Sequence, residues 1–207
     1  FGLSLSLWTV GRHLRRWGFT PQKPVRRAWE RDDAAVQRWL KVEYPRIHRQ
    51  AKAAGAEIHW GDEMGLRSDH QAGRSYSPKG QTPVIAGTGR RFGCNVISTV
   101  TNRGTLRFMV FKHRFTTAVF IEFLGRLVRG ALGKVFLIVD GHPVHKSAAT
   151  RRWLNREENR EKIRWFVLPA YTPELNPDEF LNNDVKQNAV GRRRARDQQD
   201  LLADVRG

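Results

Sequence analysis

Cysteine, acidic residues and long apolar runs are scarce in this sequence of 207 residues. The single cysteine, Cys94, excludes an internal disulfide and fits a reducing cytoplasm. No apolar run approaches the ~20 residues of a membrane-spanning helix, and the first residues lack the basic region of a secretory signal. The chain also begins without Met, within what has the pattern of a structural element, so we expect further residues before it.

The charge is strongly one-sided, with 37 Lys and Arg residues against 20 Asp and Glu residues and a formal net charge of +17. A globular domain this basic usually has a polyanionic partner, most often nucleic acid. A basic surface without a partner and a membrane-surface protein are the alternatives. Nucleic acid is favoured because the charge is spread over several segments and no amphipathic membrane helix accompanies it. The basic residues expected to bind nucleic acid are Arg12, Arg15, Arg16, Lys23, Arg26, Arg27, Arg90, Arg91, Arg192, Arg193 and Arg194.

A short amphipathic helix is predicted from Ser4 or Ser6, either of which can cap it, to about Trp17. Its apolar residues recur on one face, its arginines lie elsewhere, and Gly18 follows as a stop. This pattern is typical of the second helix of a helix-turn-helix, and equally of an ordinary surface helix with solvated arginines. Residues 19–31 hold two prolines and four basic residues, which indicates an extended linker.

After the linker, the sequence predicts one long helix and then a mixed α/β domain. Asp32 caps the helix, Tyr44–Pro45 bends or restarts it, and Gly55 ends it. Antiparallel strands followed by alternating strands and helices predict a mixed sheet covered by helices on both faces, with the strand of residues 134–139 at its centre. The predicted apolar stripe of the long helix consists of Val36, Trp39 and Leu40. The predicted strands are 58–60, 92–100, 106–111, 134–139 and 163–168, and the later helices begin near residues 116, 146 and 177.

Three acidic residues occupy places from which α/β proteins commonly present catalytic groups. Asp140 ends the buried strand 136–139, Asp62 follows the apolar run 58–60, and Glu179 opens a helix. Carboxylates from separate elements could together hold Mg²⁺, which takes oxygen ligands and keeps several waters. Each acid alone is also explained as a turn former, a polar strand exit or a first-turn helix residue. Spacing alone does not bring the three together.

Two histidines close to Asp140, His142 and His145, raise the alternative of a zinc site. Neither paired cysteines nor a helical His-Glu motif accompanies them. We therefore expect histidines at the surface or histidines that support a carboxylate, rather than ligands of zinc.

Three motifs are similar to those of one known family, the insertion-sequence transposases of the mariner superfamily. The first is Trp60–Leu66 (WGDEMGL), which resembles a "DE-x-G" motif around the first acid. The second is Val139–Lys146 (VDGHPVHK), which resembles "D-N-x-x-x-H". The third and most specific is Leu168–Glu179 (LPAYTPELNPDE), which resembles "LP-x-Y-[ST]-P-[DE]-LNP-x-E". The order and rough spacing of the motifs also match, and the resemblance covers residues 3 to 190 or so.

The resemblance implies an RNase H-like fold, an α/β fold with a mixed sheet of an antiparallel hairpin plus parallel strands, flanked by helices. It places this catalytic domain at residues 56–207. It also implies that residues 1–18 are the end of a helix-turn-helix DNA-binding region, and that residues 19–55 form a basic linker and helix. The activity implied is DNA transposition, in which metal-dependent cleavage at the transposon ends precedes strand transfer into target DNA.

The resemblance also implies roles for individual residues. Asp62, Asp140 and Glu179 would be the catalytic acids and would bind Mg²⁺, as a pair of ions and with Mn²⁺ able to substitute. The residues implied to support the acids are Glu63, His145 and Asn176, and Lys186 is implied to contact DNA.

Two departures from the family pattern stand out. Gly141 follows the second acid where asparagine is common, which puts in doubt a hydrogen bond from that position. Residues 180–184 lack the tryptophan often found after the third acid, and Asp184 offers a second acid there, although Glu179 fits the motif better.

The sequence therefore predicts a DDE transposase that acts in DNA recombination and integration of a mobile element. Its expected partners are double-stranded DNA and a second copy of the chain, with no membrane involved. Its expected location is the nucleoid of a bacterial cytoplasm. An RNase H-like nuclease without strand transfer and a DNA-binding remnant without activity are the alternatives.

Overall fold

The computed structural model describes residues 2, 4–22, 27–69, 76–84, 88–189 and 195–206. The helices are α1 (Leu7–Arg16), α2 (Asp33–Arg38), α3 (Tyr44–Ala53), α4 (Thr117–Gly130), α5 (Ala148–Leu154), α6 (Glu157–Arg160), α7 (Asp178–Asp184) and α8 (Gln198–Arg206). The strands are β1 (Glu57–Arg67), β2 (Gly93–Thr101), β3 (Leu106–Phe111), β4 (Val135–Val139) and β5 (Ile163–Val167). Two π-helical segments, Trp39–Glu43 and Val185–Ala189, and a 3₁₀ turn, Pro173–Leu175, complete the elements.

The five strands form one mixed sheet in the order β3-β2-β1-β4-β5. β1, β2 and β3 pair antiparallel, whereas β4 pairs parallel with β1 and with β5. This is the predicted combination of an antiparallel hairpin with parallel strands. The prediction that residues 134–139 form the central strand is wrong, because β1 holds that place. A continuous apolar run is typical of any interior strand, and β4, buried along its length, is one.

β1 is longer than predicted, because it continues past the apolar run 58–60 to Arg67. Its first part pairs with both β2 and β4, but beyond Trp60 only the antiparallel pairing with β2 continues. Asp62 therefore lies within a strand rather than after one. It lies two residues beyond Trp60, the last residue of β1 that pairs with β4.

Helices cover both faces of the sheet, as predicted. On β4, Val135, Leu137 and Val139 belong to one buried cluster, whereas Phe136 and Ile138 belong to the other, following the two-residue period of a strand. The first face packs against α4 through Phe120, Phe123, Leu124 and Leu127. The opposite face packs against Trp39, Ile47 and Ala51 of the long helix. A smaller cluster packs α8 against the far ends of β1 and β2 through Leu201.

The long helix changes its winding where Pro45 enters it. Pro45 has no N–H to donate, and its ring would clash with the carbonyl four residues earlier in a regular α-helix. The Tyr44 N–H donates instead to the Trp39 carbonyl five residues back, which makes a π-helical segment. Val36 and Trp39 of the predicted apolar stripe are buried, but the prediction is wrong for Leu40, which is exposed.

α1 forms as predicted, with the Ser6 hydroxyl accepting a hydrogen bond from the Thr9 N–H. None of its side chains is buried by the described residues, and Leu7 is 92% exposed. Within the described part of the linker, residues 19–22 and 27–31 contain neither helix nor strand, as predicted. Among the described residues, no helix is both long and apolar enough to cross a membrane.

The later elements differ from the prediction in detail. The helix expected near residue 146 begins at Ala148, because Ser147 caps it. The helix expected from residue 177 keeps α-helical winding only to Asp184 and then becomes the π-helical segment. The short helix α6, Glu157–Arg160, was not predicted.

Candidate active site

All three predicted acids line one cavity of about 420 Å³ at the carboxyl end of β4. Asp62, Asp140 and Glu179 come from β1, from the residue after β4 and from the first turn of α7. The other lining residues are Gly141, His142, Lys146, Asn176 and the loop 168–173. A larger cavity of about 650 Å³ lies at the opposite end of β1, but Glu57 is its single lining acid. The cluster of acids therefore marks the smaller cavity as the candidate active site.

Strand register brings Asp62 and Asp140 together. Trp60 on β1 is the parallel partner of Ile138 on β4, and each acid lies two residues further along its strand. Neighbouring strands lie ~4.8 Å apart, so carboxylates two residues beyond a paired position can share one cavity. Successive side chains of a strand point to opposite faces of the sheet, so Glu63 points to the face opposite Asp62.

Two asparagines, one in the third motif and one in α7, attach this region to β1. The Asn182 amide donates a 2.8 Å hydrogen bond to the Asp62 carboxylate. The Asn176 amide donates a 3.2 Å hydrogen bond to the Gly61 carbonyl. Asn182 was missed in the sequence, although it follows Glu179 by three residues and so shares its helix face.

α7 carries three acids, of which Glu179 is the one that lines the cavity. Asp178 is fully buried and accepts a 2.7 Å hydrogen bond from the Ser98 hydroxyl on β2. Asp184 is exposed and accepts a 2.6 Å hydrogen bond from the Asn188 amide. The structure therefore favours Glu179 over Asp184 as the partner of Asp62 and Asp140.

Asp140 is held by residues of its own motif. The His142 N–H donates a 3.0 Å hydrogen bond to Oδ1, and His145 Nδ1 lies 2.9 Å from the same oxygen. The His145 ring is buried between Phe115 and Phe120. These contacts fix the direction in which the Asp140 carboxylate faces.

Glu63 lies on the far side of the two histidines. Its carboxylate oxygens are 3.9 Å from His142 Nε2 and 4.0 Å from His145 Nε2. Ligand atoms of Glu63, Asp140 and His145 all lie within 4.8 Å of one another, so this group could also hold a metal ion. Asp140 is thus shared by two possible sets of ligands, the three acids of the cavity and the Glu63–His145 group.

The electrostatics of the cavity favour a bound cation. Burial and the charge of Glu179 raise the pKa of Asp62 to about 8. Burial also raises the pKa of Asp178 to about 7 and, together with the charge of Asp140, raises the pKa of Glu63. Burial would likewise raise the pKa of Asp140, but the hydrogen bonds from His145 and the His142 N–H outweigh it and lower the pKa. Clustered half-buried carboxylates repel one another, and a divalent cation that binds oxygen would relieve this repulsion.

The loop that forms one wall of the cavity is held in a fixed shape. Tyr171 has a φ of 58°, which makes it the one described residue other than glycine with a positive φ. Its neighbour Thr172 is buried and donates a 2.7 Å hydrogen bond to the Pro169 carbonyl. Arg31 of the linker pairs with Glu174, the residue that follows this loop, and with Asp33. The wall of the cavity is therefore attached to the linker.

None of the predicted DNA-binding residues that the structure describes lines the cavity. Lys186 is half-buried in the π-helical segment after α7. Lys23, Arg26, Arg192, Arg193 and Arg194 lie outside the described residues. Those exposed at the surface are Arg12, Arg15, Arg16, Arg27, Arg90 and Arg91.

Comparison with protein families gives two matches. The model of the DDE superfamily endonucleases matches residues 57–202, and the model of a winged helix-turn helix matches residues 1–43. No curated protein sequence matches the chain.

The solved structures to which this one is similar include three Mos1 complexes. The Mos1 strand transfer complex has a TM-score of 0.63 and 20% identity, over 96% of this chain and 61% of the other. The mariner Mos1 paired end complex with Mn has a TM-score of 0.65 and 20% identity, over 96% and 62%. The mariner Mos1 paired end complex with Mg has a TM-score of 0.63 and 21% identity, over 96% and 61%. These likenesses confirm the predicted RNase H-like fold, and the chain spans about three fifths of the length of these transposases.

Proposed function

The chain belongs to the DDE superfamily endonucleases, and from this membership we propose that it is the catalytic part of a DNA transposase. The observation that carries the proposal is the convergence of Asp62, Asp140 and Glu179 on one cavity. We propose that these three acids are the catalytic residues. We also propose the division of the chain into a helix-turn-helix end at 1–18, a linker and helix at 19–55 and a catalytic domain at 56–207.

The residues of the cavity fit a divalent metal. Their donors are carboxylate oxygens, which suit Mg²⁺ and Mn²⁺, and the pKa of Asp62 is raised by burial and by the charge of Glu179, both of which such an ion would offset. The Mos1 complexes with Mn and with Mg support the same choice of ion. When bound, divalent ions supply charge that stabilises the attacking and leaving oxygens of a phosphoryl transfer.

The protein groups around the acids keep them in position. His145 and the His142 N–H hold Asp140 ionised and facing the cavity. Asn182 fixes the orientation of Asp62, and Asn176 keeps the third motif against β1. Such neighbours of metal ligands commonly contribute tenfold or more to affinity.

The reaction has two steps of the same type. Water first attacks a phosphorus atom at the transposon end, and the bond to the 3′ oxygen breaks to leave a free 3′ hydroxyl. This hydroxyl then attacks a phosphorus atom of target DNA, and a target 3′ oxygen leaves. Each step exchanges one phosphorus–oxygen bond for another, and neither needs a covalent bond to the enzyme.

We propose that double-stranded DNA is the substrate and that two copies of the chain act on it in the nucleoid of a bacterial cytoplasm. The net charge of +17 supports a DNA partner, because basic residues that neutralise phosphates give affinity that falls steeply with salt. Two of the Mos1 relatives are paired end complexes, which supports a dimer.

A nicking and joining assay tests the proposed function. Purified chain is incubated with supercoiled plasmid and then with an oligonucleotide that ends in a free 3′ hydroxyl, with Mg²⁺, with Mn²⁺ or with EDTA. A transposase nicks and joins in the presence of either ion and does neither in EDTA. Nicking without joining indicates a nuclease, and DNA binding without either activity indicates a remnant.

We expect Asn182→Ala to weaken Mn²⁺ binding by roughly tenfold, because Asp62 loses the donor that orients it. The neighbouring Asn183 is exposed, so Asn183→Ala is a matched control that should leave affinity unchanged. Calorimetric titration of both variants with Mn²⁺ measures the effect. Equal affinities in the two variants would contradict a positioning role for Asn182.

A further inference from the structure

The side chain of Lys146 lies against Gly141 at the mouth of the candidate active site. A Cβ built on Gly141 would lie 3.2 Å from Lys146 Nζ and 3.8 Å from Lys146 Cε. The first distance is tighter than ordinary van der Waals contact. The ammonium group therefore fills the space that a side chain at residue 141 would need. Both residues line the cavity that contains the three acids.

The turn after β4 brings Lys146 back over Gly141. The His145 N–H donates to the His142 carbonyl at 3.0 Å, and the Lys146 N–H donates to the Pro143 carbonyl at 3.2 Å. His145 is also buried and lies against Asp140. The position of the Lys146 backbone is therefore fixed on its N-terminal side. Ser147 then caps α5, which fixes the other side of Lys146. The backbone of Lys146 is thus positioned even though its side chain is exposed.

The ammonium group is free to bind a ligand. Within the described part of the chain, the Lys146 side chain makes no hydrogen bond or ion pair. It carries up to three N–H donors and a charge opposite to that of a phosphate. The three carboxylates of the cavity repel a DNA phosphate, and a cation at the mouth offsets part of that repulsion.

We propose that Lys146 binds a non-bridging oxygen of the DNA phosphate that enters the cavity, and that Gly141 is what makes room for it. The proposal rests on the proposed function, because it takes DNA as the substrate. It also gives a physical reason for the glycine that stands where the family commonly has asparagine. Lys146 is then a residue that contacts the substrate, in addition to the three acids.

The first experiment measures binding without catalysis. A short fluorescein-labelled duplex is titrated with protein in Ca²⁺ over a range of salt concentrations, and anisotropy gives the affinity. We expect Lys146→Gln to lower the slope of log affinity against log salt by about 0.9, the contribution of one phosphate contact. Lys52→Gln is the control, because Lys52 is exposed and lines the cavity at the opposite end of β1. Equal slopes for the two variants would overturn the proposal, as would failure of the wild-type chain to bind DNA.

The second experiment uses Gly141. Because Lys146 Nζ is the end of a flexible side chain, Gly141→Asn should displace it without unfolding the chain, which a thermal melt checks. We expect Gly141→Asn to lower the slope of log affinity against log salt by the same amount as Lys146→Gln. The double variant should have the same slope as either single variant. Additive losses would mean that the two residues act separately, which contradicts the proposal.

These binding measurements separate the inference from the proposed function. If the wild-type chain binds DNA through Lys146 but cleaves none in Mg²⁺ or Mn²⁺, the proposed catalysis fails and the phosphate contact stands. If the chain cleaves DNA and Lys146→Gln behaves like Lys52→Gln in slope and in KM, the catalysis stands and the phosphate contact fails.

Discussion

Asp140→Asn is expected to reduce metal-dependent DNA cleavage by at least roughly 10²–10³-fold while DNA binding stays within about twofold of the wild type. The substitution keeps the shape of the side chain and the oxygen that accepts from the His142 N–H, so the turn should remain folded. It removes the charge that the cavity offers to a divalent cation. A nicking assay and anisotropy on the same preparation measure the two quantities.

Asp184→Asn is the matched control for this prediction. Asp184 is exposed, bonded to Asn188 and absent from the lining of the cavity, yet it lies on the same helix as Glu179. We expect its cleavage rate to equal that of the wild type. Full activity in Asp140→Asn, or a comparable loss in Asp184→Asn, would contradict the assignment of the acids.

Asp62→Asn is expected to raise the melting temperature of the metal-free chain by roughly 5–10 °C at pH 8 and above. Burial and the charge of Glu179 raise the pKa of Asp62 from 3.8 to about 8. A carboxyl with a raised pKa costs no stability below its unfolded pKa, costs more as pH rises, and costs the full amount above its folded pKa. The asparagine carries no charge but keeps an oxygen that can accept from Asn182, so the difference should vanish near pH 4.

Divalent metal should reverse this order of stability. Mg²⁺ or Mn²⁺ stabilises the wild-type chain, because an ion that binds only the folded state shifts the unfolding equilibrium. The Asp62→Asn variant lacks one metal ligand, so the ion should raise its melting temperature only slightly. Thermal melts of both proteins from pH 4 to 9, in EDTA and in Mn²⁺, measure the effect. A variant that is less stable than the wild type in EDTA at pH 8 would contradict the electrostatic account.

Several features of the fold were predictable from local patterns. The buried run before Asp140, the antiparallel strands near 92–100 and 106–111 and a serine cap of α1 are all confirmed, because each depends on a few neighbouring residues. Predictions that depend on the choice of partner strand did less well. The central place of β1 follows from its pairing with both β2 and β4, and its extension to Arg67 follows from its pairing with β2. In this extension Met64 and Leu66 are the buried apolar residues, which is too short an alternation to mark a strand in the sequence.

The convergence of the three acids could not be obtained from spacing. It depends on the register of β1 with β4 and on the contact of α7 with β1, both of which join distant parts of the chain. The resemblance of the three motifs to one family predicted that the acids act together. The structure places Asp62, Asp140 and Glu179 in one cavity. Their catalytic roles stay a prediction. Asn182 and Lys146 were missed for the same reason, because their partners, Asp62 and Gly141, are identified only by the folded geometry.

The central claim is that Asp62, Asp140 and Glu179 bind one divalent metal site, and calorimetric titration with Mn²⁺ in the presence of duplex DNA tests it most directly. Four proteins are compared, namely the wild type, Asp62→Asn, Asp140→Asn and Glu63→Gln. The account predicts that binding is lost in both aspartate variants and largely kept in Glu63→Gln, because Glu63 lies behind Asp140 and outside the cavity. Binding that survives Asp62→Asn and disappears in Glu63→Gln would place the metal at the Glu63–His145 group instead and contradict the account.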